Sequence, residues 1–193
     1  MLDQLIQLDQ QLFLGINQGL SNPIFDFVMP LLRNRFFWIP LYAFLIFIML
    51  KKYGKHGAVI LLFFVISFGI ADFFSASIIK PTVARLRPCN DPIFQTSVRS
   101  LIPCGSGYSF PSTHAANHFA LGVFLITVFY KRWKWILPLA LLWAFSISFA
   151  QVYVGVHYPI DITTGAIIGS IIGYTVGTIL QKIMPYKTWK AGN

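Results

Sequence analysis

Two histidines, a carboxylate and a pair of cations are the residues of this chain best suited to chemistry on a phosphate. Lys80 is followed by Arg87 and then Pro88; a lysine with an arginine is the pairing expected around a phosphate, one a point charge and the other a bidentate fork. Ser109-Phe110-Pro111-Ser112-Thr113-His114 leads into an apolar stretch. Ser112 or Thr113 is suited to cap a helix whose free N–H groups and positive dipole end attract an anion, with His114 in its first turn. His157-Tyr158-Pro159-Ile160-Asp161 leads into another apolar stretch, with Pro159 favourable in the first turn and Asp161 four residues after His157, within reach of the imidazole. One imidazole attacking phosphorus, a second protonating the leaving oxygen and a carboxylate fixing a tautomer would amount to nucleophilic phosphoryl transfer. Each residue alone has a plainer account: a snorkelling lysine, a headgroup arginine, two structural histidines.

The elements that must position these residues follow from composition. Of 193 residues, 56% are hydrophobic and 11% charged, against about 25% charged in an ordinary soluble domain. The chain reads as an all-α integral membrane protein, a single domain over 1–193. With about 20 residues needed to cross the hydrocarbon, the apolar runs at 36–50, 57–79, 113–130, 135–154 and 159–183 predict five spans. The first is short and flanked by Arg33, Arg35, Lys51 and Lys52, which can snorkel. Asp3 and Asp9 stand where a signal peptide would carry Lys or Arg, and Leu2, Leu5, Ile6, Leu12, Phe13, Ile16 and Leu20 follow helical spacing. Residues 1–22 are thus expected to form an amphipathic helix at the membrane surface.

Fifteen Lys/Arg against six aspartates give a net charge of +9, yet no basic run reads as a nucleic-acid stripe. Lys51, Lys52, Lys55, Lys131, Arg132, Lys134, Lys182, Lys187 and Lys190 fall on one side of a five-span topology and mark it as cytoplasmic. The loop 80–112 and the turn at His157 fall on the other, periplasmic or lumenal side. That parity is what joins the candidates: Lys80, Arg87, His114, His157 and Asp161 lie far apart in sequence and share one face.

These motifs resemble those of the type 2 phosphatidic acid phosphatase superfamily: Lys80-x6-Arg87-Pro88, then Pro111-Ser112-Thr113-His114, then His157-x3-Asp161. The resemblance covers the chain from the second span to the fifth. It implies His157 as the nucleophile that becomes phosphohistidine, Asp161 as its partner, and His114 as general acid and later base. It implies Lys80, Arg87, Ser112 and the Thr113 backbone as phosphate binders, with no metal or other cofactor. Two departures stand out. Thr113 replaces the usual glycine of the second motif, and Ala150-Gln151 replaces the Ser-Arg that usually opens the third. Gln151 can donate to a phosphate oxygen but brings no charge, so the expectation is weaker dianion binding, strengthened by Gln151→Arg, unless Arg85 or Arg99 fills the gap.

Other polar residues leave alternatives open. Asp72 lies within the second span and is either functional or a hydrogen-bonding residue between helices. His118, four after His114, has metal-ligand spacing, so His114, His118, His157 and Asp161 could in principle hold zinc. His56 reads as a solvated loop residue. Cys89 and Cys104 share the outer loop, where a disulfide is permitted but two free thiols fit equally. Gly165, Gly169, Gly173 and Gly177 form a small-residue ladder, read as packing within one bundle. A transporter would use the same polar face to bind without turnover, although the spans show no inverted repeat. The partners expected are the bilayer and a lipid phosphate at the outer surface of the inner membrane: a polyprenyl diphosphate, phosphatidate, phosphatidylglycerol phosphate or lipid A. A polyprenyl diphosphate or a broad specificity is favoured, and the oligomeric state is left open.

Overall fold

A computed structural model describes residues 2–185 and Trp189; Lys187 and Lys190, placed above on the cytoplasmic side, lie outside the described residues. The elements are α1 (Leu2–Asn17), α2 (Pro23–Arg33), α3 (Ile39–Tyr53), α4 (Lys55–Asp72), α5 (Lys80–Val83), α6 (Thr113–Phe129), α7 (Ile136–Tyr153) and α8 (Pro159–Ile183). Among the described residues four segments are long and apolar enough to cross a membrane: Arg35–Tyr53, Lys55–Asn90, Ile136–Tyr153 and Pro159–Ile183. The chain is an integral membrane protein. Their apolar side chains stay largely on the outside, with Phe44, Phe47, Val65, Leu142, Phe145, Ile167 and Ile171 exposed, as a lipid-facing surface requires.

The third expected span is α6, a shorter helix of 17 residues. It is the most enclosed one, packed between α4, α7 and α8, with Ala115, Ala116, Ala120, Phe124 and Val128 buried. Gly165, Gly169 and Gly173 of α8 lie directly on the α6 backbone, where a Cβ at Gly169 would meet Ala116 and Ala120 main-chain atoms. Close backbone approach of this kind is what a small-residue ladder provides.

Several boundaries differ from the sequence reading. The expected surface helix over 1–22 ends at Asn17, and a second helix, α2, begins at Pro23. Asn22 caps it, its side chain accepting from the Phe25 N–H at 2.9 Å. The first apolar run opens as a tight turn, Arg35–Trp38, before α3. Pro81 does not end the second run at Lys80. A wide π-type turn at Phe73–Ile79 carries the helix on through α5, and the chain leaves it at Ala84 in the left-handed region, φ 51°. A π-type turn shifts the register of the backbone ladder, here just ahead of a proline that has no N–H to contribute. His56 belongs to the first turn of α4, not a loop.

Candidate active site

His157 sits in the short turn between α7 and α8. Gly155 makes the turn possible: its φ is +92°, and a Cβ there would lie 2.9 Å from Val98 Cγ1, so neither the conformation nor the space suits another residue. The imidazole is 2% exposed. Its Nδ1 lies 3.4 Å from Asp161 Oδ2 and its Nε2 lies 3.5 Å from Arg87 Nη1. A carboxylate opposite Nδ1 holds the proton on that nitrogen and leaves the Nε2 lone pair free. Burial pushes the His157 pKa down to about 4 against the pull of Asp161, and the charges of Arg87 and Lys80 add to the fall.

Asp161 is itself fixed from three directions. Its Oδ2 accepts from the Tyr158 N–H at 2.9 Å, and its Oδ1 accepts from Arg85 Nη1 at 2.8 Å. Its main-chain carbonyl accepts from the Ser112 N–H at 2.9 Å, which ties the first turn of α8 to the cap of α6. The second Arg85 nitrogen, Nη2, donates to Asp9 Oδ2 at 2.6 Å, and Asp9 Oδ1 accepts from the Ile160 N–H at 2.8 Å. The Arg85 guanidinium lies 4.0 Å over the Tyr158 ring.

Ser112 caps α6, its hydroxyl accepting from the Ala115 N–H at 3.4 Å. His114 stands in the first turn. His118 lies parallel to it with ring centres 6.4 Å apart, its Nδ1 2.8 Å from the His114 carbonyl. Since a carbonyl only accepts, His118 Nδ1 carries the proton. Asp72 bridges α4 to α6, accepting from Asn117 Nδ2 at 2.9 Å.

Lys80 and Arg87 are held by loop carbonyls. Lys80 Nζ donates to Tyr108 and Ser109 at 2.7 and 3.1 Å, and Arg87 Nε donates to Gly107 at 2.8 Å. Cys89 and Cys104 form a disulfide with Cα atoms 6.0 Å apart, closing a loop that ends three residues before the first of those carbonyls.

These groups meet at one cavity of about 500 Å³ whose wall includes Lys80, Arg87, Thr113, His114 and His157. Asp72, Asn117 and His118 line its polar floor, while Trp38, Tyr42, Phe64, Val65, Phe68 and Leu121 make an apolar side. Val65 and Phe68 are exposed on the outside of α4, so the apolar side reaches the lipid-facing surface. Asp161 and Ser112 stand immediately behind the wall. The zinc alternative over His114, His118, His157 and Asp161 finds no support: among the described residues no three His, Cys, Asp or Glu side chains are grouped so that they could hold a metal ion.

A sequence profile of the PAP2 superfamily matches residues 57–185. The chain belongs to the PAP2 superfamily. It is 38% identical over 192 residues to a lipid A 4'-phosphatase of Bacteroides thetaiotaomicron, covering 95% of this chain and 81% of that protein. It is 32% identical over 141 residues to an undecaprenyl-diphosphatase of Sulfolobus acidocaldarius, covering 73% of this chain and 62% of that one. The crystal structure of a PAP2-type phosphatidylglycerolphosphate phosphatase from Bacillus subtilis has the same fold, with a TM-score of 0.72 at 22% identity over 94% of this chain and 89% of that one. LpxE of Aquifex aeolicus gives 0.63 at 26% identity, over 89% and 93% of the two chains.

Within this PAP2 chain the replaced arginine of the third motif has a visible consequence. Gln151 is wholly buried and is not part of the cavity wall; its Oε1 accepts from Arg33 Nε at 3.4 Å. Neither Arg85 nor Arg99 fills the gap. Arg85 is spent on Asp9 and Asp161, and Arg99 pairs with Asp26, which also accepts from the Tyr153 hydroxyl at 2.6 Å. Arg33 and Asp9 were not singled out as site residues from sequence. Asn22-Pro23 was the available sign of α2, a helix start that would have separated Arg33 from the first span.

Proposed function

We propose that this PAP2 phosphatase hydrolyses a lipid-borne phosphate through a phosphohistidine on His157, without a metal. The observation that carries this reading is the buried His157 imidazole, with Nδ1 backed by Asp161 and Nε2 directed at Arg87 on the cavity wall. Nε2 forms a bond to phosphorus as the bond to the leaving oxygen breaks, and His114 gives that oxygen its proton. Asp161 stabilises the imidazolium that results. Lys80, Arg87 and the N–H groups at the start of α6, with Ser112 and Thr113, neutralise the equatorial oxygens. Water, deprotonated by His114, then displaces the phosphate from Nε2 and restores both histidines.

The apolar wall formed by Phe64, Val65 and Phe68 supports an amphiphile that enters from the bilayer with its headgroup at the cations. We read the bundle as five spans with α6 at the centre, α1 lying at the surface, and the site at the outer face of the inner membrane. The disulfide supports that side, since such bonds persist in oxidising compartments. Likeness over 95% of the chain to a lipid A 4'-phosphatase moves the first choice of substrate from a polyprenyl diphosphate to a lipid A type phosphate.

The test is phosphate release by purified protein in detergent with excess EDTA, offering lipid A, a polyprenyl diphosphate and phosphatidate side by side. Turnover that survives EDTA and disappears in His157→Ala is the expected result. Loss of activity to EDTA, or retention in His157→Ala, overturns it.

A further inference from the structure

The basic residues at this end of the molecule divide into two groups. Arg85 and Arg99 are neutralised by aspartates. Arg33, Arg35, Lys80 and Arg87 have no carboxylate partner among the described residues, and all four line the one cavity. Asp72 is the single acidic residue on that wall, and it is engaged by Asn117. Arg33, Lys80 and Arg87 are half-buried while Arg35 is exposed, and half-buried unpaired cations are costly unless an anion completes them.

Within this cluster Lys80 and Arg87 are held by loop carbonyls, whereas Arg33 is held by a side chain. Arg33 ends α2, and the buried Gln151 of α7 accepts its Nε proton at 3.4 Å. Gln151 Nε2 has no hydrogen-bond partner among the described residues, so the amide contributes to packing and to Arg33 but to no other polar group. With Nε bonded to Gln151, the two terminal nitrogens of the fork are left for bidentate contact with an anion in the cavity that Arg33 lines. Burial and the charge of Arg87 both press the Arg33 guanidinium below its ordinary pKa, which places the two arginines within mutual influence.

We propose that Arg33 is a phosphate-binding residue of this site, brought by α2 to the place that the resembled third motif fills with an arginine from α7, and that Gln151 is a positioning residue that aims it. This rests on the phosphatase reading above. It also replaces the expectation that Gln151 itself donates to phosphate.

Inhibition by orthovanadate and KM for the lipid phosphate test this, with thermal unfolding followed by tryptophan fluorescence to establish folding. Losing a charge-assisted bond raises the vanadate inhibition constant about 10- to 100-fold in Arg33→Gln, with kcat reduced less and Tm retained. Arg33→Lys restores part of the affinity, and Arg33→Gln with Gln151→Arg restores most of it. An unchanged inhibition constant in folded Arg33→Gln, or a double variant no better than the single one, overturns the proposal. Should Arg33→Gln fail to fold, Arg33→Lys decides: a several-fold rise supports the fork contact, and no change overturns it. Vanadate on the wild-type protein is measured first. No inhibition and no turnover there sinks the phosphatase reading and this proposal with it, whereas normal inhibition in both wild type and variant sinks the Arg33 assignment alone.

Discussion

Arg85 and Asp161 form an ion pair of 2.8 Å behind the His157 imidazole, and the other end of the same guanidinium holds Asp9 of α1 at 2.6 Å. Asp9, Arg85, Asp161 and His157 thus make one charged chain from the first helix to the reactive nitrogen. Both carboxylates are buried, Asp9 at 5% and Asp161 at 0% exposure, so each depends on the arginine between them. The arrangement makes α1 part of the site although no residue of α1 lines the central cavity.

Asp9→Asn should therefore lower kcat with little change in KM. The variant keeps the oxygen that accepts from the Ile160 N–H, which protects the fold, but loses the charge that fixes Arg85. Small displacements of a reacting group cost up to about 100-fold, and a loss of about 10- to 100-fold is expected here. Asp161→Asn should be far worse, about 10⁴-fold, because the amide no longer selects the tautomer. Steady-state kinetics on a lipid phosphate separate the two; an Asp9→Asn enzyme with wild-type kcat would show that α1 is mere packing.

The pH dependence follows from His157. Burial lowers its pKa to about 4, so the neutral imidazole persists well below the ordinary value of about 6.5. Turnover limited by this group declines only as pH falls toward 4. Stability behaves differently, because the unfolded chain takes up the proton near 6.5 and the folded one does not. This group's contribution is therefore lost as pH falls from about 6.5 to 4. A kcat/KM profile of the wild type and unfolding curves of wild type and His157→Ala over that range check both; a wild-type acid limb centred at 6.5, or the same loss of stability between 6.5 and 4 in His157→Ala, contradicts the burial.

Much of this was legible because the relevant spacing is local. His157 and Asp161 are one helical turn apart, Ser112 is a cap by residue type, and the span from 159 to 183 coincides with α8 because Pro159 starts it. The residues that escaped notice depend on distant partners. Asp9 is buried by an arginine 76 positions away, and Arg33 meets a glutamine 118 positions away. No periodicity encodes either contact. Sequence alone marks Arg33 only as a snorkelling flank, because α2 has too few apolar residues to form a span and Pro30 interrupts its helical pattern. The run from 57 to 79 does form a helix long and apolar enough to cross a membrane, but the helix continues past 79, since a proline normally stops a helix unless a wide turn precedes it, as it does here.

Reduction of the Cys89–Cys104 bond should weaken both fold and site. The two cysteines are 15 residues apart, and closing such a loop contributes about 3 kcal/mol in the chain-entropy account. The segment between them carries Asn90, which donates to the Gly105 carbonyl at 2.9 Å, and it leads to the Gly107 carbonyl that holds Arg87. A Cys89→Ser, Cys104→Ser double variant should show a lower Tm and a raised KM, since Arg87 loses its orientation. Equal KM with a lowered Tm would separate the loop's stabilising role from any part in phosphate binding.

The glycine ladder gives the sharpest contrast between stability and function. A Cβ at Gly165 would lie 2.5 Å from the Ser112 carbonyl, at the very turn that caps α6 and bonds to Asp161. At Gly177, near the other end of α8, it would meet the Thr127 side chain at 2.8 Å, remote from the cavity. Overpacking of this size costs about 1–3 kcal/mol, and the two substitutions to alanine should lower Tm comparably. Their effects on catalysis should diverge. Gly165→Ala pushes the start of α6 away from α8, moving His114 relative to His157 and reducing kcat at least about tenfold. Gly177→Ala should leave kcat near wild type. Parallel measurement of Tm and kcat settles the matter, and equal kcat losses in both variants would mean that the two helices shift as a rigid pair.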